Sequence, residues 1–190
     1  MEGRYPWYEI VDSNEDLLQG DFIKECPIII PPQKISDAKI SNKVEVRVIN
    51  YNVVVMSQSC DLVQRKIDLV LVCPVWPLSE FEYRSDYFKS KKGKEALRQG
   101  NVPGYHLLNR CELNEFRTDY MVVDFRSVYS VAFDFILELA RKGGRRLRLL
   151  PPYREHLSQA FARFFMRVGL PVDIPSFKSV SYTHLTLPTN

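Results

Sequence analysis

Four consecutive apolar residues, Val53, Val54, Val55 and Met56, follow a stretch in which Val44, Val46 and Val48 alternate with Glu45 and Arg47. The alternation has the period of a half-buried strand. The unbroken run has no polar face to turn to water, and it reads as a central strand buried within a sheet. A chain with such a strand must build a sheet around it and cover that sheet. Asn50-Tyr51-Asn52 separates the two stretches and is expected to form a hairpin turn or a bulge.

Further strands are expected over 22–30, stopped by Pro31-Pro32, and over 67–75, 105–109, 121–125 and 128–131. Arg126-Ser127 is expected to bend the chain between the last two. Gln19-Gly20-Asp21 is a turn signal. The lysine-rich stretch 80–99 predicts one or two short helices, weakened by Gly93 and stopped at Gly100. A short helix or turn is expected at 135–140. Near the C-terminus, Leu157, Ala160, Phe161, Phe164, Phe165 and Val168 recur at helical spacing, and Gly169 then Pro171 stop the run. This predicts a closing helix over 152–168 whose buried side chains each contribute about 1.5–3 kcal/mol. The fold class that follows is α+β: a small bent β-sheet or half-open barrel, with a helical insertion and a C-terminal amphipathic closing helix. One domain is expected over 1–178, with 179–190 a disordered, non-native tail.

The 190 residues are 45% hydrophobic and 26% charged, ordinary for a globular domain. Charge is unevenly placed. Seven acids (Glu2, Glu9, Asp12, Glu15, Asp16, Asp21 and Glu25) face only Arg4 and Lys24 at the N-terminus. Over 141–170 the bases Arg141, Lys142, Arg145, Arg146, Arg148, Arg154, Arg163 and Arg167 face only Glu155. Such asymmetry marks an anionic partner surface, or two ends that attract each other. No basic start leads into an apolar run and no stretch is long enough to span a membrane, so a cytoplasmic chain with no membrane partner is expected. Cys26, Cys60, Cys73 and Cys111 are widely spaced and read as free thiols.

Three constellations bear on chemistry. At the end of the buried strand, Ser57, Gln58, Ser59, Cys60 and Asp61 form a polar rim. Cys60 would be a nucleophile or redox thiol if His106 stood by as base and Asp61 or Asp124 oriented it; otherwise it is a buried thiol beside a turn. The four cysteines with His106 are candidate metal ligands, but Cys111 with His106 is their only close pair, and neither a metal nor a cofactor is expected. The third constellation is cationic. Lys89, Lys91, Lys92, Lys94 and Arg98 form one group. Arg141, Lys142, Arg145, Arg146 and Arg148 form another around Gly143-Gly144, extended by Arg163 and Arg167. Such groups bind RNA or DNA phosphates, or else form solvated loops.

The strand beginning Gly20-Asp21-Phe22-Ile23, the run 53–57 and the pair 123–131 together resemble the small β-barrel of PemK/MazF-like toxins. That resemblance implies a bent barrel closed by a helix. The Arg-Pro pair that serves RNA cleavage in that family is replaced here by Tyr51-Asn52, so the resemblance extends to fold and not to ribonuclease chemistry. The phrase 57–62, Ser-Gln-Ser-Cys-Asp-Leu, looks like that of uncharacterised small bacterial proteins. The function expected from the sequence is a binding module of a bacterial accessory, toxin-like or defence system, contacting nucleic acid or a protein partner. A cysteine-dependent enzyme using Cys60 and His106 is the first alternative, and a structural or immunity-type subunit the second.

Overall fold

The computed structural model describes residues 5–32 and 46–166. Eight strands appear in it: β1 (Tyr8–Val11), β2 (Phe22–Ile30), β3 (Arg47–Val55), β4 (Leu69–Pro77), β5 (Tyr105–Leu108), β6 (Met121–Asp124), β7 (Tyr129–Ala132) and β8 (Arg146–Leu149). The helices are α1 (Ser59–Val63), α2 (Leu78–Phe81), α3 (Asp86–Lys89), α4 (Lys91–Arg98), α5 (Phe133–Lys142) and α6 (Tyr153–Phe165). The main sheet is antiparallel and runs β2-β3-β4-β6-β5, with β7 also paired to β4; it does not close into a barrel. The fold is α+β, as the sequence implies.

The valine run occupies the middle of this sheet. Val53, Val54 and Val55 are wholly buried. Val53 and Val55 enter one core with Ile23, Val70, Val72 and Ile136 of α5. Val54 and Met56 enter a second core on the other face, with Val75, Phe125, Leu149 of β8 and Leu157 of α6. Period-2 geometry sends neighbouring side chains to opposite faces, so an apolar run needs a cover on each. Here α5 supplies one cover, and the β1–β8 ribbon with α6 supplies the other.

The expected break at 50–52 does not occur. β3 is continuous there, and the irregularity lies in its partner β2, between Ile23 and Cys26. Glu25 takes a positive φ of 51° at that bulge, and its backbone N–H donates to Asn52 Oδ1 at 3.2 Å. The alternation upstream is also misleading. Val46 and Val48 are exposed, as is Ile29, the partner of Val48. The β2–β3 ladder runs past β4, which pairs with β3 only over Val53 to Val55, so among the described residues no strand pairs with β3 beyond that point on the β4 side.

β4 changes partner midway along one edge. Val75 faces Val123 of β6, whereas Val72 faces Tyr129 of β7. Six steps of chain on one side therefore span three on the other, and the surplus bulges out at Arg126-Ser127, where a bend is expected. The helical insertion has more pieces than expected: α2, a 3₁₀ turn at Glu82–Arg84, α3 and α4. They bury Phe81, Phe88 and Leu97 against Tyr105 and Val122 in a small core of their own. Gly93 is required there rather than weakening, because a Cβ would sit 2.0 Å from the carbonyl oxygen of Tyr87. α5 is longer than the expected 135–140 segment. α6 closes the second core through Leu157, with Phe161 and Phe164 partly buried, but Phe165 is exposed. Val168 and the expected tail at 179–190 lie outside the described residues.

Candidate functional site

The basic loop expected over 141–148, with entry into a strand at 147–150, enters that strand at Arg146, so Arg146 and Arg148 are strand residues. In β8 they alternate with Leu147 and Leu149, and the leucines enter the second core. The arginines meet Asp21, whose side chain is 0% exposed. Arg146 Nε donates to Asp21 Oδ2 at 2.7 Å, and Arg148 Nη2 donates to the same oxygen at 3.0 Å. Arg148 Nε donates to Asp21 Oδ1. One carboxylate cannot satisfy two guanidinium groups, so the acidic N-terminal segment folds over them and offers main-chain carbonyls. Arg146 donates to those of Asp12, Glu15 and Asp16, and Arg148 to that of Asp16. Burial works against the charge of Arg148, but its hydrogen bonds with Asp21 and the negative charge of Asp21 outweigh that and hold its pKa above the ordinary value. For these two residues the charge asymmetry is an attraction between the chain ends. Neither is free to contact a phosphate, which removes Arg146 and Arg148 from the expected nucleic-acid surface.

The polar rim also has internal work. Ser57 Oγ accepts from the N–H of Leu71 at 2.8 Å, and Ser59 Oγ accepts from the N–H of Gln19 at 3.2 Å. Gln58 Nε2 donates to Ser158 Oγ of α6 at 3.3 Å. These bonds pin the start of α1 to the Gln19 turn and to α6. Cys60 is exposed, and its thiol lies 3.7 Å from Asp61 Oδ1. His106 is on β5 opposite Val123, stacked near Phe125, and burial with help from His156 pushes its pKa down to about 4. Among the described residues no hydrogen bond or ion pair joins His106 to Cys60, Asp61 or Asp124. Cys60 and Asp61 are thus in contact without a hydrogen bond to the expected base, and a base of such low pKa takes a proton from a thiol poorly. Cys26 lies in the first core and Cys73 and Cys111 in the second. Burial pushes the thiols of Cys26 and Cys73 up to about 11 and about 12. Among the described residues, no three His, Cys, Asp or Glu side chains are placed to hold a metal ion.

A concave site opens elsewhere, between the β2 bulge and the C-terminal end of α5. It encloses about 270 Å³. Its floor is apolar: Phe22, Val75, Met121 and Leu147, with Phe116 and Leu139 on the walls. The backbone of Gly143-Gly144 forms part of the lip, where the absence of side chains leaves the mouth open. Lys24, Arg117, Arg145 and Arg146 line it as cations, Arg146 with its donors taken up by Asp21 and the N-terminal carbonyls, and Glu115 is the one acid. Lys24 Nζ lies 4.9 Å from the centroid of the Phe116 ring. Arg145 is ion-paired with Glu115. Among the described residues Lys24 and Arg117 have no ion-pair partner.

The sequence identifies Arg145 and the glycines of this site but not Lys24 or Arg117. Lys24 stands among acids, and Arg117 is isolated in a loop, so neither belongs to a charge run. Arg141, Lys142 and Arg163 are exposed but do not line the cavity, and Lys142 is paired with Glu138 at 2.6 Å. Arg167 lies outside the described residues. Among the described residues no helix is long and apolar enough to cross a membrane. No protein-family model matches the chain, and no curated protein matches it.

Proposed function

We propose that the chain is a binding module for single-stranded nucleic acid, of the accessory or defence kind that its toxin-like strands imply. One unstacked base enters the cavity between the β2 bulge and α5, and Lys24, Arg117 and Arg145 hold the flanking phosphates. The observation that carries this reading is the pairing of an apolar floor with a cationic rim in one concave site. Its volume is slightly below the roughly 300–1,000 Å³ of pockets that enclose whole small molecules, which suits one planar ring better than a complete ligand. Stacking of a base on an aromatic wall such as Phe116 is worth about 1–3 kcal/mol and tolerates any base.

Fluorescence anisotropy with short labelled single-stranded RNA and DNA tests this. The wild-type chain is expected to bind, and the K24A/R117A double variant to bind at least about tenfold more weakly. Both residues are exposed, so the variant should keep the native circular dichroism. Equal affinities of wild type and variant, or no binding by the wild type at low salt, would sink the reading.

A second reading, a protein-partner module, is favoured by the exposed apolar end of the β2–β3 hairpin, where Ile29, Val46 and Val48 face solvent. Substituting Val48 by Lys would then abolish the interaction while leaving nucleic-acid binding unchanged.

A further inference from the structure

The bulge between β6 and β7 holds a second aspartate with two arginines. Asp124 ends β6 and its side chain is 2% exposed. Its Oδ1 accepts the backbone N–H of Arg126 at 3.0 Å and lies 3.5 Å from Arg126 Nε. Its Oδ2 lies 3.5 Å from Nη1 of Arg84, which arrives from the 3₁₀ turn of the helical insertion. Each guanidinium is also laid over a ring: Arg84 at 3.8 Å from the Trp76 centroid and Arg126 at 4.5 Å from that of Tyr105.

Two features separate this cluster from a structural ion pair. The side chains of Arg84 and Arg126 are 39% and 57% exposed. Their contacts to Asp124 are long, and their remaining nitrogens have no acceptor among the described residues. A guanidinium carries five N–H donors in a fixed fork, so most of the donors here have no acceptor among the described residues. One buried carboxylate against two guanidinium groups also leaves the cluster one positive charge in excess. Beneath Arg84, Trp76 Nε1 is buried without a hydrogen-bond partner among the described residues.

We infer that Arg84 and Arg126 form a binding site for a tetrahedral oxyanion of the phosphate class, with Asp124 as the positioning residue. The rings fix the planes of the two forks, the carboxylate fixes their separation, and the free donors converge on an anion at the surface. Bidentate geometry of this kind is what planar arginine offers to phosphate. The site is independent of the cavity: Val75 and Pro77 of β4 line the cavity, while Trp76 between them points to the opposite face of the sheet.

Trp76 reports on the site directly. In a W7F background it is the sole tryptophan, and Tyr153, stacked on Trp7, keeps an aromatic partner. Inorganic phosphate is titrated against chloride at matched ionic strength, with acetate as a separate arm and calorimetry as a second readout. A saturable change in Trp76 emission with phosphate is expected, with affinity lost at least tenfold in R126A and in R84A. Lysine variants at both positions keep the charge but not the fork, and are expected to lose severalfold. They decide the matter if the alanine variants do not fold. The inference is overturned if phosphate gives no saturable response, if acetate binds as tightly as phosphate, or if the lysine variants bind like the parent.

Discussion

Two sites in this molecule set one aspartate against two arginines, and they are finished in opposite ways. At Asp21 the arginines are buried, the bonds to the carboxylate reach 2.7 Å, and main-chain carbonyls of the N-terminal segment take further donors. At Asp124 the carboxylate is as deeply buried, but the contacts to side-chain nitrogens are 3.5 Å and the arginines stand half in water. The difference arises from what lies above each cluster. The acidic segment around Asp12 to Asp16 wraps over β8, whereas the β6–β7 bulge lifts Arg126 to the surface. The same trio of one aspartate and two arginines serves as a structural joint where carbonyls enclose it and as a receptor where they do not.

The largest effect that would break this comparison is at Asp21. D21N leaves two buried guanidinium groups facing a neutral amide, and is expected to cost about 3–5 kcal/mol in urea unfolding. A cost under about 1 kcal/mol would mean that the joint is not structural. A third, half-buried group sharpens the contrast, because the His106 imidazole has no hydrogen bond among the described residues. Burial holds its pKa near 4, below the ordinary 6.5. The unfolded chain therefore takes up a proton that the folded chain refuses. The stability contributed is fully present above pH 6.5 and is lost as pH falls towards 4, by up to about 3 kcal/mol. H106L should flatten that part of the stability–pH curve; an unchanged curve would show that the imidazole is not excluded from water.

Smaller effects belong to the open clusters. D124N keeps the acceptor for the N–H of Arg126 and leaves solvated arginines, so it should cost only about 1–2 kcal/mol. A cost equal to that of D21N would erase the distinction between the two sites. Smallest is E115Q, which releases Arg145 from its ion pair at the cavity rim. It should tighten single-stranded RNA by up to about fivefold, read by anisotropy; weaker binding would mean that Glu115, not Arg145, faces the ligand.

Much of the fold is legible in the sequence because it follows from local pattern. The run 53–56 demands a cover on both faces and has one. The stripe carrying Leu157 and Phe161 is a closing helix. Arg126-Ser127 bends the chain where expected. The failures share one cause, that pairing over long distances decides burial. Val46 and Val48 alternate like core residues, yet both are exposed. Arg146 and Arg148 resemble Arg145 in a basic run, yet β-strand alternation with Leu147 and Leu149 aims them at Asp21, more than a hundred residues away in sequence. That alternation, together with the acids from Glu9 to Asp21, was the available signal. Lys24 and Arg117 carry none, since only the fold brings them to one rim.

The salt dependence of single-stranded RNA binding tests the central division between structural and ligand-facing cations most directly. Single strands give a slope of log affinity against log salt of about −0.7 per phosphate neutralised, so contacts from Lys24, Arg117 and Arg145 predict about −2. A slope near −5, as expected if the whole basic group from Arg141 to Arg167 met phosphates, would contradict the account, and so would affinity that does not change with salt.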